Sequence, residues 1–396
     1  MNIDLTDTTS SQINSALVQA RRAAGIPAVG MVLTLVIVTD EGNHYDALKA
    51  ASEASKEHPS RILVVIKRPG RSPRDRRVAR LDAEVRIAGD VGTGETVLLR
   101  LYGELAGHAE SVVLPLLLPD APVVVWWPED APEHPSEDLL GQLATRRITD
   151  AQATEDPVDT LGLRARTYTP GDTDLAWTRI TPWRSVLAAA LDQKHSAITS
   201  AVVEGEAYNP SSELLALWLA ERLRVPVQRQ VSDGPGLTAV RLETADGVIC
   251  LDRANGSLAE LAMPGQPDRH VALQRREKSE LIAEELRRLD PDETYASAVR
   301  YGVSRLGKGV LGAEHATARA GSGGHNRSGG ARKAAPSKAP ADKTADKSGD
   351  KSGDKSGDKT AGKTAEKSDS GDNTGARTAR KTADKAGDRT AGKAAS

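Results

Sequence analysis

Residues 111–132 read SVVLPLLLPDAPVVVWWPEDAP, two apolar runs that meet at Pro119-Asp120-Ala121-Pro122. Val112–Leu118 suits one or two buried helical turns. Val123–Trp127 is a short β-branched run, the pattern of a strand covered on both faces. Pro128 ends it, because proline has no N–H to give the ladder. Neighbouring strand residues point to opposite faces, so Trp126 and Trp127 cannot share one pocket. One indole is expected to plug the core. The other is expected at the C-terminal edge of the sheet, where open α/β sheets place their ligands.

The rest of the chain supplies the layers such a strand needs. Thr8–Gly25 reads as a helix capped by Thr8, Thr9 or Ser10 and stopped at Gly25-Ile26-Pro27. Strands follow at Val32–Val38 and Arg61–Ile66, around a helix at Tyr45–Lys56. Leu81–Ile87 and Thr96–Tyr102 read as a hairpin. Strands separated by helices predict a largely parallel, covered sheet, and the hairpin makes it mixed. Residues 129–174 are Pro- and charge-rich and read as a connector with helical pieces at Leu139–Thr145 and Val158–Arg166. Pro182 suits the first turn of a helix capped by Thr181. A second unit starts at Ser196, with a strand at Ala197–Val203, a helix at Ser211–Arg224 and a strand at Val225–Val231. Thr238–Glu243, Val248–Asp252, Leu258–Met263 and His270–Gln274 read as antiparallel strands, with turn residues such as Asp246-Gly247 between them. Ser279–Leu289 reads as a closing helix and Asp292–Arg300 as a last turn or two.

The expected architecture is therefore two α/β domains. The first, residues 1–150, is a mixed, mostly parallel sheet covered by helices. Residues 151–195 form a connector. The second, residues 196–301, is α+β with several antiparallel strands. Residues 302–396 form a low-complexity tail in which Asp-Lys recurs every fourth position from Asp342 to Lys359. That tail has almost nothing to bury and is expected to be disordered.

Composition removes several functions. Cys250 is the single cysteine, so an internal disulfide and a cysteine-rich zinc site are excluded. There is no Phe, so the cores must be built from Leu, Val, Ile and Ala with a few Trp and Tyr. The polar start and the lack of an apolar run of about 18 residues argue for a cytoplasmic protein without a membrane span. From Gly321 onward there are 17 Lys and Arg against 10 Asp and Glu, a surplus of +7 that leaves −9 on the remainder. An acidic folded part is unlike a nucleic-acid binder.

Local motifs point to binding before catalysis. Gly89–Thr96 (GDVGTGET) fits a phosphate loop except that Glu95 stands where a lysine would neutralise the phosphates. The following VLLRLYG reads as a strand where that motif needs a helix, so the segment reads as a hairpin turn. The basic loop Lys67–Arg80 suits a solvated loop or a contact with an acidic partner. His44, His58, His108, His134, His195 and His270 lack metal-ligand spacing. Cys250 in GVICLD reads as a buried strand residue. The densest segment is Asp172–Arg184, with Asp172, Asp174, Trp177, Arg179, Trp183 and Arg184. Two guanidiniums beside two indoles can hold an anion or stack on a ring. They can equally be inter-domain packing, with the arginines paired to Asp172 and Asp174.

Several stretches resemble one family: VLTLVIVTD, HPSRILVVIK, LDAEVRI, LPLLLPDAPVVVWWP, RRITDA, GDTDLAWTRITPWR and SELIAEELRRLD. Together they are similar, in order over most of residues 1–300, to the actinobacterial form of the glucose-6-phosphate dehydrogenase assembly proteins, OpcA. The resemblance implies a non-catalytic partner of that dehydrogenase that promotes its assembly or active state in the oxidative pentose phosphate pathway. It brings no catalytic residues, cofactor or metal. The expected partner-binding residues are Trp126, Trp127, Asp174, Trp177, Arg179, Trp183 and Arg184, since Trp and Arg dominate protein contacts. The alternative is a sugar-phosphate or nucleotide sensor that regulates a metabolic enzyme through the sheet edge near Trp126 and Trp127.

Overall fold

Apolar β-branched runs become the centre of an eight-stranded sheet in the computed structural model, which describes residues 2–25, 30–70, 72, 74–87, 94–253 and 256–306. In chain order the first elements are β1 (Asn2–Leu5), α1 (Ser10–Ala24), β2 (Leu33–Thr39), α2 (His44–Ala54), β3 (Ser60–Arg68), β4 (Arg80–Ile87) and β5 (Glu95–Tyr102). Then come α3 (Ala109–Val113), β6 (Val123–Trp126), β7 (Arg146–Thr149), α4 (Pro157–Arg166) and β8 (Asp172–Asp174). The strand order is β1-β4-β5-β3-β2-β6-β7-β8. β5, β3, β2, β6, β7 and β8 run parallel, and β4 joins β5 antiparallel as the hairpin reading requires. The phosphate-loop segment falls largely on residues 88–93, outside the described residues.

The central strands are buried on both faces, and the two-residue period sorts their side chains. Val36, Val38, Leu63, Val65, Val125 and Trp127 pack under Ile13 and Leu17 of α1. Leu35, Ile37, Ile62, Val64, Val124 and Trp126 form the opposite core with Ala47, Leu48 and Ala51 of α2. Thr9 caps α1 through a reciprocal exchange with Gln12, and Gly25 closes it at φ 67°, a left-handed conformation that costs glycine little.

The indoles lie on opposite faces as expected, but neither is at the surface. Trp126 is 0% and Trp127 1% exposed. The Trp127 N–H continues the ladder to the Ile148 carbonyl at 3.0 Å, and its ring packs among Leu116 and Leu140. An exposed indole at this sheet edge is thus corrected.

The segment read as a connector carries sheet. Arg146–Thr149 and Asp172–Asp174 are strands, whereas the expected helical piece at Leu139–Thr145 is only a short 3-10 turn at Gly141–Leu143. α5 (Leu175–Arg179) and α6 (Thr181–Leu191) follow, with Ile180 in place of Thr181 at the α6 cap position.

The second sheet contains β9 (Ile198–Gly205), β10 (Val227–Val231), β11 (Leu237–Thr244), β12 (Gly247–Asp252), β13 (Leu258–Ala262) and β14 (Arg269–Ala272), in the order β10-β9-β11-β12-β13-β14. α7 (Pro210–Leu223) makes the parallel crossover from β9 to β10, and the remaining pairs are antiparallel. One face packs against α7 and α6, and α9 (Glu293–Leu306), which lies against α7, joins the same core, built from Val203, Val240, Leu242, Leu251, Leu215, Leu187 and Val299. Cys250 is half-buried on its strand, beside the Arg241 guanidinium at 3.7 Å, and is not the buried core residue expected. α8 (Lys278–Arg287) returns to the first sheet: Leu281, Ile282 and Leu286 complete the core around Trp126. Both sheets belong to one compact unit.

Glu95, the residue that departs from the phosphate-loop pattern, has a structural task. Its buried carboxylate accepts from Arg61 Nε at 2.8 Å and pairs with Arg61 Nη2 at 2.7 Å and Arg21 Nε at 3.2 Å. It thereby fastens β5 and β3 to α1. Glu95→Ala leaves Arg61 charged, buried and unpaired, and is expected to cost about 3–5 kcal/mol in urea unfolding. A loss below about 1 kcal/mol, the range of an exposed pair, would show that the site tolerates the charge.

Candidate functional site

The short β8 and the two helices after it gather the Trp- and Arg-rich segment. Asp174 ends β8 and caps α5, its Oδ1 accepting from Ala176 N at 2.9 Å. Its Oδ2 accepts from Thr149 Oγ1 at 2.6 Å and Ala151 N at 2.9 Å. Full burial, with the Asp150 charge nearby, pushes the Asp174 carboxyl above the usual range. Asp150 receives both terminal nitrogens of Arg179, at 2.7 and 2.8 Å. Burial opposes the Arg179 charge, but the Asp150 bonds prevail and hold its pKa above the ordinary value.

The indoles of this segment face inward. Trp177 is 1% exposed, donates to Asp292 Oδ2 at 2.8 Å, and lies under the Arg184 guanidinium, 3.7 Å from its ring centre. Arg184 also donates to Thr181 Oγ1 at 3.0 Å, and burial pushes its pKa down. Trp183 is 2% exposed, with Arg253 5.0 Å from its ring centre. Asp172 accepts from Arg147 Nε at 2.5 Å. Arg179 and Arg184 are therefore not paired to Asp172 and Asp174 as the packing reading had it.

The structure thus brings Asp174, Trp177, Arg179, Trp183 and Arg184 together on α5 and α6. Trp126 reaches the same neighbourhood through Leu175, whose side chain shares its core. Trp127, on the other face of the sheet, does not.

Beside this cluster lies a cleft of about 310 Å³, and Arg179 and Trp183 line it. It opens at the C-terminal end of β9 and the start of α7, the position where parallel α/β units expose a ligand site. Glu206, Asn209 and Ser211 come from that crossover, Gly236 and Leu237 from the start of β11, Arg253 from the end of β12, and Gln274, Arg275 and Arg276 from the segment before α8. Sequence reasoning missed Asn209 as a cleft residue and also Arg253, Arg275 and Arg276. They lie on separate loops, so no local spacing joins them.

The edge of the first sheet, where a ligand was expected near Trp126 and Trp127, has the opposite character. Asp40, Glu129 and Asp130 line the hollow beside Trp127. Burial, with Asp40 and Asp130 close by, raises the Glu129 pKa. With Lys67 the one cation in this lining, the three carboxylates leave it acidic and poorly suited to a phosphate. The histidines remain scattered: among the described residues no three His, Cys, Asp or Glu side chains gather as a metal site. Among the same residues no helix is long and apolar enough to cross a membrane.

Two family models match consecutive parts of the chain. Residues 51–166 match the glucose-6-phosphate dehydrogenase subunit N-terminal domain, and residues 170–299 the C-terminal domain of the same subunit. The chain belongs to the OpcA family of glucose-6-phosphate dehydrogenase assembly proteins. No curated protein sequence matches it. Among solved structures it is similar to the 3-ketoreductase KijD10 from Actinomadura kijaniata, at 11% identity and a TM-score of 0.39, over 68% of this chain and 94% of that one. It is also similar to the dehydrogenase MviM from Clostridium difficile, at 7% identity and a TM-score of 0.36, over 70% and 98%. Likeness at that level carries no functional argument. The two matched family segments meet between Arg166 and Pro170, within the stretch that feeds β8 into the first sheet.

The Asp150–Arg179 pair tests whether the cluster is built as described. Arg179→Ala leaves the Asp150 carboxylate, 1% exposed, without its partner, and is expected to cost about 3–5 kcal/mol in denaturant unfolding. Arg179→Lys keeps the charge but not the two-pronged geometry and should recover part of that loss. Equal stability of all three proteins would mean that the pair holds nothing in place.

Proposed function

We propose that this family member acts by contact, as a non-catalytic assembly factor and activator of glucose-6-phosphate dehydrogenase in the cytoplasm, feeding the oxidative pentose phosphate pathway. The observation that carries the reading is the match of both segments to domains described as parts of a subunit of that enzyme. An activator must bind the active form of its target better than the inactive one, and the difference in binding free energy is what shifts the equilibrium.

The contact surface in this proposal is the rim of the Trp- and Arg-bearing cluster. Trp126, Trp177, Trp183 and Asp174 are buried and serve as its backing, while Trp127, buried on the other face of the sheet, stands outside it. Arg179 and Arg184 reach the surface in part. Tyr208 stands between the cleft residues Glu206 and Asn209, and is 77% exposed. Its φ of 56° is a conformation that non-glycine residues seldom adopt. An exposed tyrosine beside arginines is the kind of residue set that anchors protein interfaces. A second reading, a sensor of a phosphorylated metabolite acting on the same enzyme, is favoured by the uncompensated arginines of the cleft.

The test is co-purification with the dehydrogenase, followed by activity at fixed enzyme and rising amounts of this chain. Activation should saturate. Tyr208→Ala should raise the half-activating concentration about tenfold or more while leaving the melting temperature nearly unchanged, because the side chain is largely exposed. A dehydrogenase that neither retains the chain nor changes its activity overturns the proposal.

A further inference from the structure

The cleft at the start of α7 carries more positive charge than its own carboxylates cancel. Four arginines line it. Arg179 is neutralised by Asp150, and Arg276 by Glu284. Arg253 and Arg275 have no carboxylate partner among the described residues.

Arg253 is the unusual one. It is 6% exposed, and a guanidinium that deep is normally paired. Its two terminal nitrogens donate to neutral carbonyls, Nη1 to Leu273 at 2.7 Å and Nη2 to Leu237 at 2.8 Å, while Nε has no partner among the described residues. These bonds fix its position without cancelling its charge. Burial and the nearby Arg275 charge press its pKa down to about 10, still well above neutrality, so it stays charged.

The backbone brings a second set of donors to the same place. Gly236 has φ 66°, and a Cβ there would fall 2.9 Å from Arg275 Nη2 and 3.8 Å from Asn209 Nδ2. The missing side chain therefore leaves the space over which these two groups converge. Asn209 Oδ1 is occupied in capping α7, where it accepts from Ser212 N at 2.9 Å, so the amide nitrogen is the end left to donate. The helix that starts here runs for 14 residues, and its N-terminal dipole adds to the attraction for an anion.

We infer that this cleft is a binding site for a small phosphorylated polyol, with the phosphate held by Arg253, Arg275 and Asn209 and the hydroxyls by the remaining polar lining. A phosphomonoester carries close to two negative charges at neutral pH, and the two guanidiniums without a carboxylate partner face them, with Glu206 returning one negative charge to the lining. The volume sits at the lower end of small-molecule sites and suits a single sugar-sized group. Glu206 would repel a second anionic group but accepts hydrogen bonds from hydroxyls, as Gln152 and Gln274 can. Trp183 gives the site one apolar wall.

Calorimetric titration of the isolated full chain tests this without the dehydrogenase, so its outcome is separate from that of the partner proposal. The probes are inorganic phosphate, glucose 6-phosphate and glucose. Glucose 6-phosphate should bind more tightly than phosphate, and glucose should give no heat. Arg275→Gln should weaken glucose 6-phosphate binding about tenfold or more, with an unchanged melting temperature because Arg275 is exposed and holds no carboxylate in the fold. Arg222→Ala, an exposed change on α7 away from the cleft lining, should bind as the parent does. The inference is overturned if neither phosphate compound binds, if glucose binds equally well, or if Arg275→Gln leaves binding unchanged.

Discussion

A buried carboxylate joins the two halves of this molecule. Glu285 on α8 is 5% exposed and accepts from Arg146 Nε on β7 at 2.9 Å and from Thr178 Oγ1 on α5 at 2.6 Å. Arg146 also donates to the Asp290 carbonyl at 2.9 Å. One acidic side chain from the C-terminal part thus holds a strand of the first sheet and the helix that leads to the second. Charges this deep survive only when each is paired and hydrogen-bonded, so the three elements have little freedom to separate.

The site inherits its geometry from that junction. α5 is pinned at both ends, by the Asp174 cap and by Thr178 on Glu285, while Trp177 reaches across to Asp292 just before α9. With α5 fixed, Arg179 lands on Asp150 and Trp183 at the wall of the cleft. Tyr295 packs its ring 5.6 Å from Trp177 and 5.8 Å from Tyr168, so α9 closes the same core. The tryptophans therefore act as packing that positions polar groups, and the groups left for contact with other molecules are arginines, Asn209 and Tyr208.

The parts legible in the sequence were those set by local chemistry. Val123–Trp127 read as a doubly covered strand because five apolar residues in a row have no solvent face. The α1 boundaries followed from the capping set Thr8, Thr9 and Ser10 and from Gly25, and the hairpin of β4 and β5 from two strand-like runs close together across a glycine-rich turn. β7 was not legible. RRIT starts with two arginines, which argue against a buried strand until their partners are known, and Glu285 lies 139 residues from Arg146. The same distance hid α8, whose apolar face SELIAEEL showed but whose target did not. One of Trp126 and Trp127 was expected at the sheet edge because Pro128 ends the run; Trp127 is buried there by Leu140 and Leu116, which approach from outside the strand. The Trp- and Arg-rich segment was recognisable as important, yet its composition could not separate surface from core. The cleft had no local signature, because its arginines meet only after the second sheet has closed.

The Arg146–Glu285 contact is the tie between the two sheets. A double-mutant cycle with Arg146→Met and Glu285→Leu, followed by urea unfolding, measures it. Each single change should cost about 3–5 kcal/mol by stranding the other charge, and the double variant should cost clearly less than the sum, in one cooperative transition. Additive losses, or single variants that unfold at the parent midpoint, would contradict the view that this buried pair holds the molecule together.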